Sequence, residues 1–192
     1  MSDLSRRERI LAAAERLFQH YGQKKTTMAD IARDVGIGVG SLYLDFPSKE
    51  ALLSELGLKR SRAISEAMES ARTITPTSDR IVAMLEARVD ALLRVAEEGT
   101  HACELIACGS RPESNGAPGL GAEARRALAA ELELGKRSGE IECGPIEQVL
   151  DTLDVAFMAL SPPFLFRHDP ARAKETARRL GVLIVYGIAR KP

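Results

Sequence analysis

The sequence predicts an all-α chain of about nine helices, with a three-helix N-terminal domain over residues 1–50 and a second helical domain over residues 51–192. Three observations carry that expectation. Ala, Leu, Glu and Arg dominate the composition, and these residues lose little freedom in a helix. Aromatic residues make up only 4% of the chain. Apolar residues recur at helical spacing almost throughout, between breaks marked by Gly and Pro. A length of 192 residues is enough for one large or two small domains with a real core.

The first helix is predicted near residues 5–21. Ser5-Arg-Arg-Glu8 has the spacing of a capping box, in which hydroxyl and carboxylate satisfy free amides at a helix start. Ile10, Leu11, Ala14, Leu17, Phe18 and Tyr21 follow at helical spacing, and Gly22 supplies a stop. Thr27 caps a short helix through Ala29, Ile31, Ala32 and Val35, ended by Gly36. About two residues on, Val39-Gly-Ser-Leu-Tyr-Leu44 forms another short helix, and two short helices joined by a tight Gly-containing turn are the helix-turn-helix signature. Ser48 caps a fourth helix, apolar at Leu52, Leu53, Leu56, Ile64 and Met68, which runs to about Arg72 and links the two domains.

Helices over 79–98 and 101–109 come next, then a loop over Gly109–Gly121 with four Gly and two Pro. A helix near 122–138 stops at Gly139. Gly144-Pro145 opens another that ends at Pro162-Pro163, and Asp169-Pro170 opens the last, near 170–189.

Charge excludes a globally basic nucleic-acid binder, because Lys plus Arg equals Asp plus Glu at 27 each. Residues 1–60 hold ten Lys/Arg against eight Asp/Glu, so a basic patch can only be local. The N-terminus has no signal-peptide pattern, and no stretch approaches the roughly 20 apolar residues of a membrane span. A cytoplasmic protein without a membrane partner is expected. Cys103, Cys108 and Cys143 are too few, and odd in number, for a disulfide scaffold. His101, Cys103 and Cys108 admit packing, redox and metal readings. Cys103 and Cys108 would lie about 140° apart around a helix, a poor shared face, and packing is the favoured reading.

The segment Thr26-Thr-Met-Ala-Asp-Ile-Ala-Arg-Asp-Val-Gly-Ile-Gly-Val-Gly-Ser-Leu-Tyr-Leu-Asp-Phe-Pro-Ser-Lys-Glu-Ala-Leu-Leu53 resembles the DNA-binding motif of the TetR family of repressors. The resemblance covers about residues 8–55, and the later helices are compatible with it. By the physics of the motif, Ile31, Ala32, Val35, Leu42 and Phe46 pack the short helices onto the first. Exposed residues of the second short helix then face the major groove. The candidates are Gly38, Val39, Gly40, Ser41, Tyr43 and Leu44. Val39 can touch a thymine methyl, and Ser41 can bond to a base or a phosphate. The resemblance implies phosphate contacts for Tyr43 and Lys49, and Thr27 can combine its cap with a phosphate bond. Ala29, Gly38, Val39 and Asp45 depart from the family pattern, which shifts weight to apolar contacts and to Arg6, Arg7, Lys24 and Lys25.

The resemblance further implies a homodimer whose last two helices meet their copies. Those helices carry Val149, Leu153, Phe157 and Leu160, then Ala173, Ala177, Leu180, Ile184 and Gly187. It implies a non-enzymatic transcriptional regulator, a repressor bound to a palindromic operator in double-stranded DNA. Release would come from a small-molecule effector of unknown identity, with no cofactor, metal or catalytic residue. Met84, Ile106, Phe157 and Met158 are plausible cavity lining or ordinary core. An enzyme using an internal cavity, a dimeric scaffold with a decayed DNA head, and an activator are the alternatives. The three His residues form no evident catalytic constellation.

Overall fold

The computed structural model describes residues 5–98, 101 and 120–188. Its elements are all helical: α1 (Arg6–Tyr21), α2 (Met28–Val35), α3 (Val39–Asp45), α4 (Lys49–Glu69), α5 (Thr77–Glu97), α6 (Ala122–Ser138), α7 (Ile146–Ala156) and α8 (Pro170–Ile188), with three short 3-10 turns. Of the helix expected over 101–109, residues 102–109 lie outside the described residues, as do most of the Gly/Pro-rich loop and Cys103, Ile106 and Cys108. Eight helices therefore stand among the described residues. None of these is long and apolar enough to cross a membrane.

The chain divides into two compact units. The first takes in the residues up to Arg60, ten residues beyond the expected boundary, together with the stretch that begins at Val95 at the end of α5. Its core is one cluster: Ile10, Ala13, Ala14 and Phe18 of α1; Met28, Ile31 and Ala32 of α2; Leu42 and Phe46; and Leu52, Leu53 and Leu56 of α4. The extension past residue 50 has a visible cause. Arg60, 6% exposed, is paired with Glu15 of α1 at 3.0 Å and with Glu98 at 2.6 Å, and Gln19 also donates to Glu98. A buried guanidinium needs such partners, and they lie on α1 and just past the end of α5.

The second unit holds residues 61–94 and the described residues from Leu120 onward. Ile81, Met84, Leu85, Leu128, Leu132, Leu150, Leu153, Phe157, Leu165 and Ala177 are among its most buried residues. An unexpected core group is Arg88, 3% exposed. Its Nε donates to Leu120 O at 3.1 Å, Nη1 to Leu160 O at 3.5 Å and Nη2 to Ser161 Oγ at 3.0 Å. Burial pushes its pKa down to about 10, opposed by the charge of Asp154, so it is a cation at neutral pH.

Arg88 also accounts for a difference from expectation. The helix expected to run to Pro162 ends at Ala156, and the chain continues as a 3-10 turn over Met158–Leu160. Leaving the α-helix presents Leu160 O and Ser161 Oγ to the guanidinium, while the Ser161 hydroxyl donates to Phe157 O at 2.8 Å. A residue 73 positions away dictates that end.

Two glycines of this unit predict opposite outcomes. A Cβ on Gly135 of α6 would lie 2.7 Å from Ile141 Cδ1 and 3.1 Å from Thr77 Cγ2. Gly135→Ala is expected to destabilise by about 1–3 kcal/mol through overpacking. On Gly181 of α8 the nearest atom is Val82 Cγ1, an ordinary contact at 3.5 Å. Gly181→Ala is expected to stabilise by about 0.5–1 kcal/mol, because alanine is the better helix former. Thermal melts of the two variants check the pair.

Candidate nucleic-acid interface

The first three helices are built to hold α3 outward on a rigid base. Both caps of the preceding helices are reciprocal. Ser5 N–H donates to Glu8 Oε2 at 2.8 Å while Glu8 N–H donates to Ser5 Oγ at 3.2 Å. Thr27 N–H donates to Asp30 Oδ2 at 2.9 Å while Asp30 N–H donates to Thr27 Oγ1 at 3.2 Å. These hydrogen bonds hold the Glu8 and Asp30 carboxyls below their ordinary pKa, so both are charged at neutral pH. Gly36 closes α2 in the left-handed conformation at φ 75°, which glycine adopts without a Cβ penalty. Gly36, Ile37 and Gly38 then make the whole turn into α3.

α3 is pinned by its buried side. Leu42 is fully buried, and Phe46, which follows the helix, is 1% exposed, with the Arg7 guanidinium 4.0 Å from its ring centroid. The other side of the helix is open: Val39 is 40% exposed, Tyr43 48% and Leu44 83%. Gly38 and Gly40 are also exposed, and Ser41 is half-buried.

Asp45, which breaks the family pattern, does not stand as a free acid. Arg6 Nε lies 2.8 Å from Asp45 Oδ2, and Arg7 Nη1 donates to Asp45 O at 2.7 Å. These contacts tie the start of α1 to the end of α3. They also commit two arginines that the sequence offers as DNA contacts, since Arg7 further pairs with Glu55. Arg16 pairs with Asp34, Arg33 with Asp30 and Lys59 with Glu15. Lys24 and Lys25, in the turn before α2, take part in no ion pair with a described residue.

Two expected phosphate contacts have internal partners. Thr27 donates its hydroxyl to Asp30 Oδ2 at 2.6 Å. Lys49 Nζ donates to Gln23 O at 2.9 Å and Thr26 O at 3.4 Å, which fixes the turn before α2. Thr26 itself is buried, its hydroxyl bonded to Gly22 O at 3.0 Å. Sequence reasoning missed the inward roles of Thr26, Arg60 and Arg88, since an isolated Thr or Arg carries no local pattern that signals burial.

On α7, α8 and the turn after α7, Leu153, Phe157, Leu160, Ala173 and Ala177 are buried within their own chain, at 0–2% exposure. Val149, Leu180 and Ile184 are half-buried, and Gly187 is exposed. Ala173, Ala177, Gly181 and Val185 form an i, i+4 stripe turned inward. The outward apolar residues are Val155, Met158, Phe164, Val182, Leu183 and Tyr186. Of the plausible cavity residues, Met84 and Phe157 lie in the core, and Met158 lies at the surface.

The fold and this arrangement define a helix-turn-helix protein with a following helical domain. Residues 10–56 match the family described as bacterial regulatory proteins, tetR family. The chain is 46% identical over 52 residues to the HTH-type transcriptional repressor KstR2 of Mycolicibacterium smegmatis, covering 27% of this chain and 25% of that one. It is 48% identical over 48 residues to an uncharacterized HTH-type transcriptional regulator, YerO, of Bacillus subtilis, covering 25% of this chain and 17% of that one. The matched stretch thus spans a quarter or less of either relative. The fold likeness runs further. A protein of unknown function from Rhodococcus sp. RHA1 matches over 98% of both chains with a TM-score of 0.72 at 17% identity. The TetR family transcriptional regulator PfmR of Thermus thermophilus matches over 98% of this chain and 100% of its own, with a TM-score of 0.59 at 21% identity.

Proposed function

We propose that this chain is a DNA-binding transcriptional repressor that reads a palindromic operator as a homodimer and is released by a small-molecule effector. The observation that carries the reading is α3, locked from below by Leu42 and Phe46 and open along Val39, Gly40, Tyr43 and Leu44. A short helix in that setting enters the major groove and reads base edges. Residues 1–50 act as the reader and residues 51–192 as the sensor and dimerisation domain.

The need for a second copy follows from operator geometry: two recognition helices fit successive major grooves about 34–36 Å apart. On this chain the surface offered to the copy is the outward apolar set of α7, α8 and their connection, above all Val155 at 69% and Leu183 at 72% exposure. Residues already covered by their own chain, such as Ala173 and Phe157, add no area to such a contact. Leu183→Glu is expected to convert a dimer to a monomer with its helicity intact. Light scattering coupled to size exclusion and far-UV circular dichroism read the two properties separately. The effector would act only through its different affinity for the two spacings of the recognition helices.

Fluorescence anisotropy of the purified chain, against its own upstream intergenic duplex and a scrambled control at two salt concentrations, tests the reading. A preference of at least ~10³-fold for the native duplex is expected, the low end for specific binders. Equal and strongly salt-sensitive binding to both would reduce the interaction to phosphate attraction and overturn it.

A further inference from the structure

The helix that would enter the groove carries an unusual set of side chains. α3 reads Val39-Gly-Ser-Leu-Tyr-Leu-Asp45 and has no Arg, Lys, Asn or Gln, the residues that read guanine and adenine by paired hydrogen bonds. Its single acid, Asp45, faces Arg6 at 2.8 Å. Beside the half-buried Ser41 and the phenol of Tyr43, 48% exposed, what remains outward is aliphatic: Val39 at 40% and Leu44 at 83% exposure. An isopropyl and an isobutyl group held toward a groove lined with base edges have one apolar partner there, the 5-methyl group of thymine.

Gly40 adds an independent observation. It lies inside α3, its φ is not in the left-handed region, and a Cβ built on it would meet nothing within 4 Å. Among the described residues nothing calls for glycine at that position, where alanine would make the better helix. A glycine whose Cβ space is empty in the free protein fits a close approach by another molecule, as backbone against base edges requires.

We propose that α3 recognises its half-site by thymine methyl groups, with Leu44 and Val39 as the contacting side chains and Gly40 admitting the helix backbone close to the bases. No guanine is obligatory at the base pairs facing α3. This inference rests on the DNA-binding reading above and goes beyond it by stating the base chemistry that is read.

The test uses the full chain and duplexes selected by it from a random pool. Uracil then replaces thymine at each half-site position, which removes only the methyl group and leaves the protein untouched. Each contacted thymine is expected to cost about fourfold in affinity, the value of one buried methylene-sized group. Where cytosine replaces a contacted thymine, 5-methylcytosine is expected to recover part of the loss. In Leu44→Ala the uracil penalty at the position Leu44 faces should vanish, as a double-mutant cycle demands of a direct contact. Leu44 is 83% exposed, so its truncation leaves the core intact. Gly40→Ala should raise the melting temperature and weaken selected-site binding together. Equal affinity for thymine and uracil duplexes, or selected sites with an invariant guanine facing α3, overturns the inference while the protein remains a specific DNA binder. Failure to prefer any duplex over a scrambled one overturns the DNA-binding reading itself.

Discussion

Phe46→Ala is expected to remove about 3–5 kcal/mol from the stability of the N-terminal unit, and specific DNA binding with it. Phe46 is 1% exposed and belongs to the single cluster that joins α1, α2, α3 and the first half of α4. Its backbone N–H also donates to Leu42 O at 2.9 Å, closing the last turn of α3. Truncation opens a cavity at that junction and removes the face on which the Arg7 guanidinium rests, 4.0 Å from the ring centroid. Because α3 has only seven residues, it holds its shape through packing and not through its own propensity. Hydrogen exchange separates this effect from global unfolding: protection should fall in α1, α2 and α3 and persist in α6, α7 and α8. A loss below about 1 kcal/mol would show that the unit closes around the missing ring, contrary to a tightly packed cluster.

Arg88→Ala is the second large effect, about 3–5 kcal/mol in the second unit. The side chain is 3% exposed and donates to Leu120 O, Leu160 O and Ser161 Oγ, so its removal leaves acceptors in the core without that donor. Each buried acceptor left unsatisfied costs about 1–3 kcal/mol. Arg88→Lys should recover only part of the loss, since a compact ammonium lacks the planar fork that reaches several acceptors at once. Chemical denaturation of the three proteins gives the ranking directly. If Arg88→Lys matches the parent, the fork geometry is not what holds the turn after α7.

Much of the first unit is legible along the chain. The capping boxes Ser5/Glu8 and Thr27/Asp30 span three residues each, and the apolar spacing of Ile10, Ala14 and Phe18 marks one face of one helix. The Gly36 stop and the Thr26–Leu53 motif are equally local, which is why helix order, the tight turn and the inward side of Leu42 and Phe46 follow from the sequence. The second unit is legible in its helices and less so in its faces. α8 has two apolar sides, an inward stripe at Ala173, Ala177 and Val185 and an outward set at Val182, Leu183 and Tyr186. Helical periodicity identifies both as apolar but does not say which one its own chain covers.

The sequence alone determined the all-α class, the family resemblance, most helix starts and stops, and which residues of α3 could stand outward. These depend on signals within one or two helical turns: caps, glycine stops and the 3.6-residue period. Only the tertiary structure decided that Asp45 is answered by Arg6, 39 residues earlier, and that Lys49 turns back onto Gln23, 26 residues earlier. It alone decided that Arg60 extends the first unit into α4 and that Arg88 ends α7 early. Each of these is a charged or polar side chain whose energy depends on what reaches it from far along the chain. A desolvated charge is tolerable only where such partners arrive, and a local pattern carries no record of their arrival.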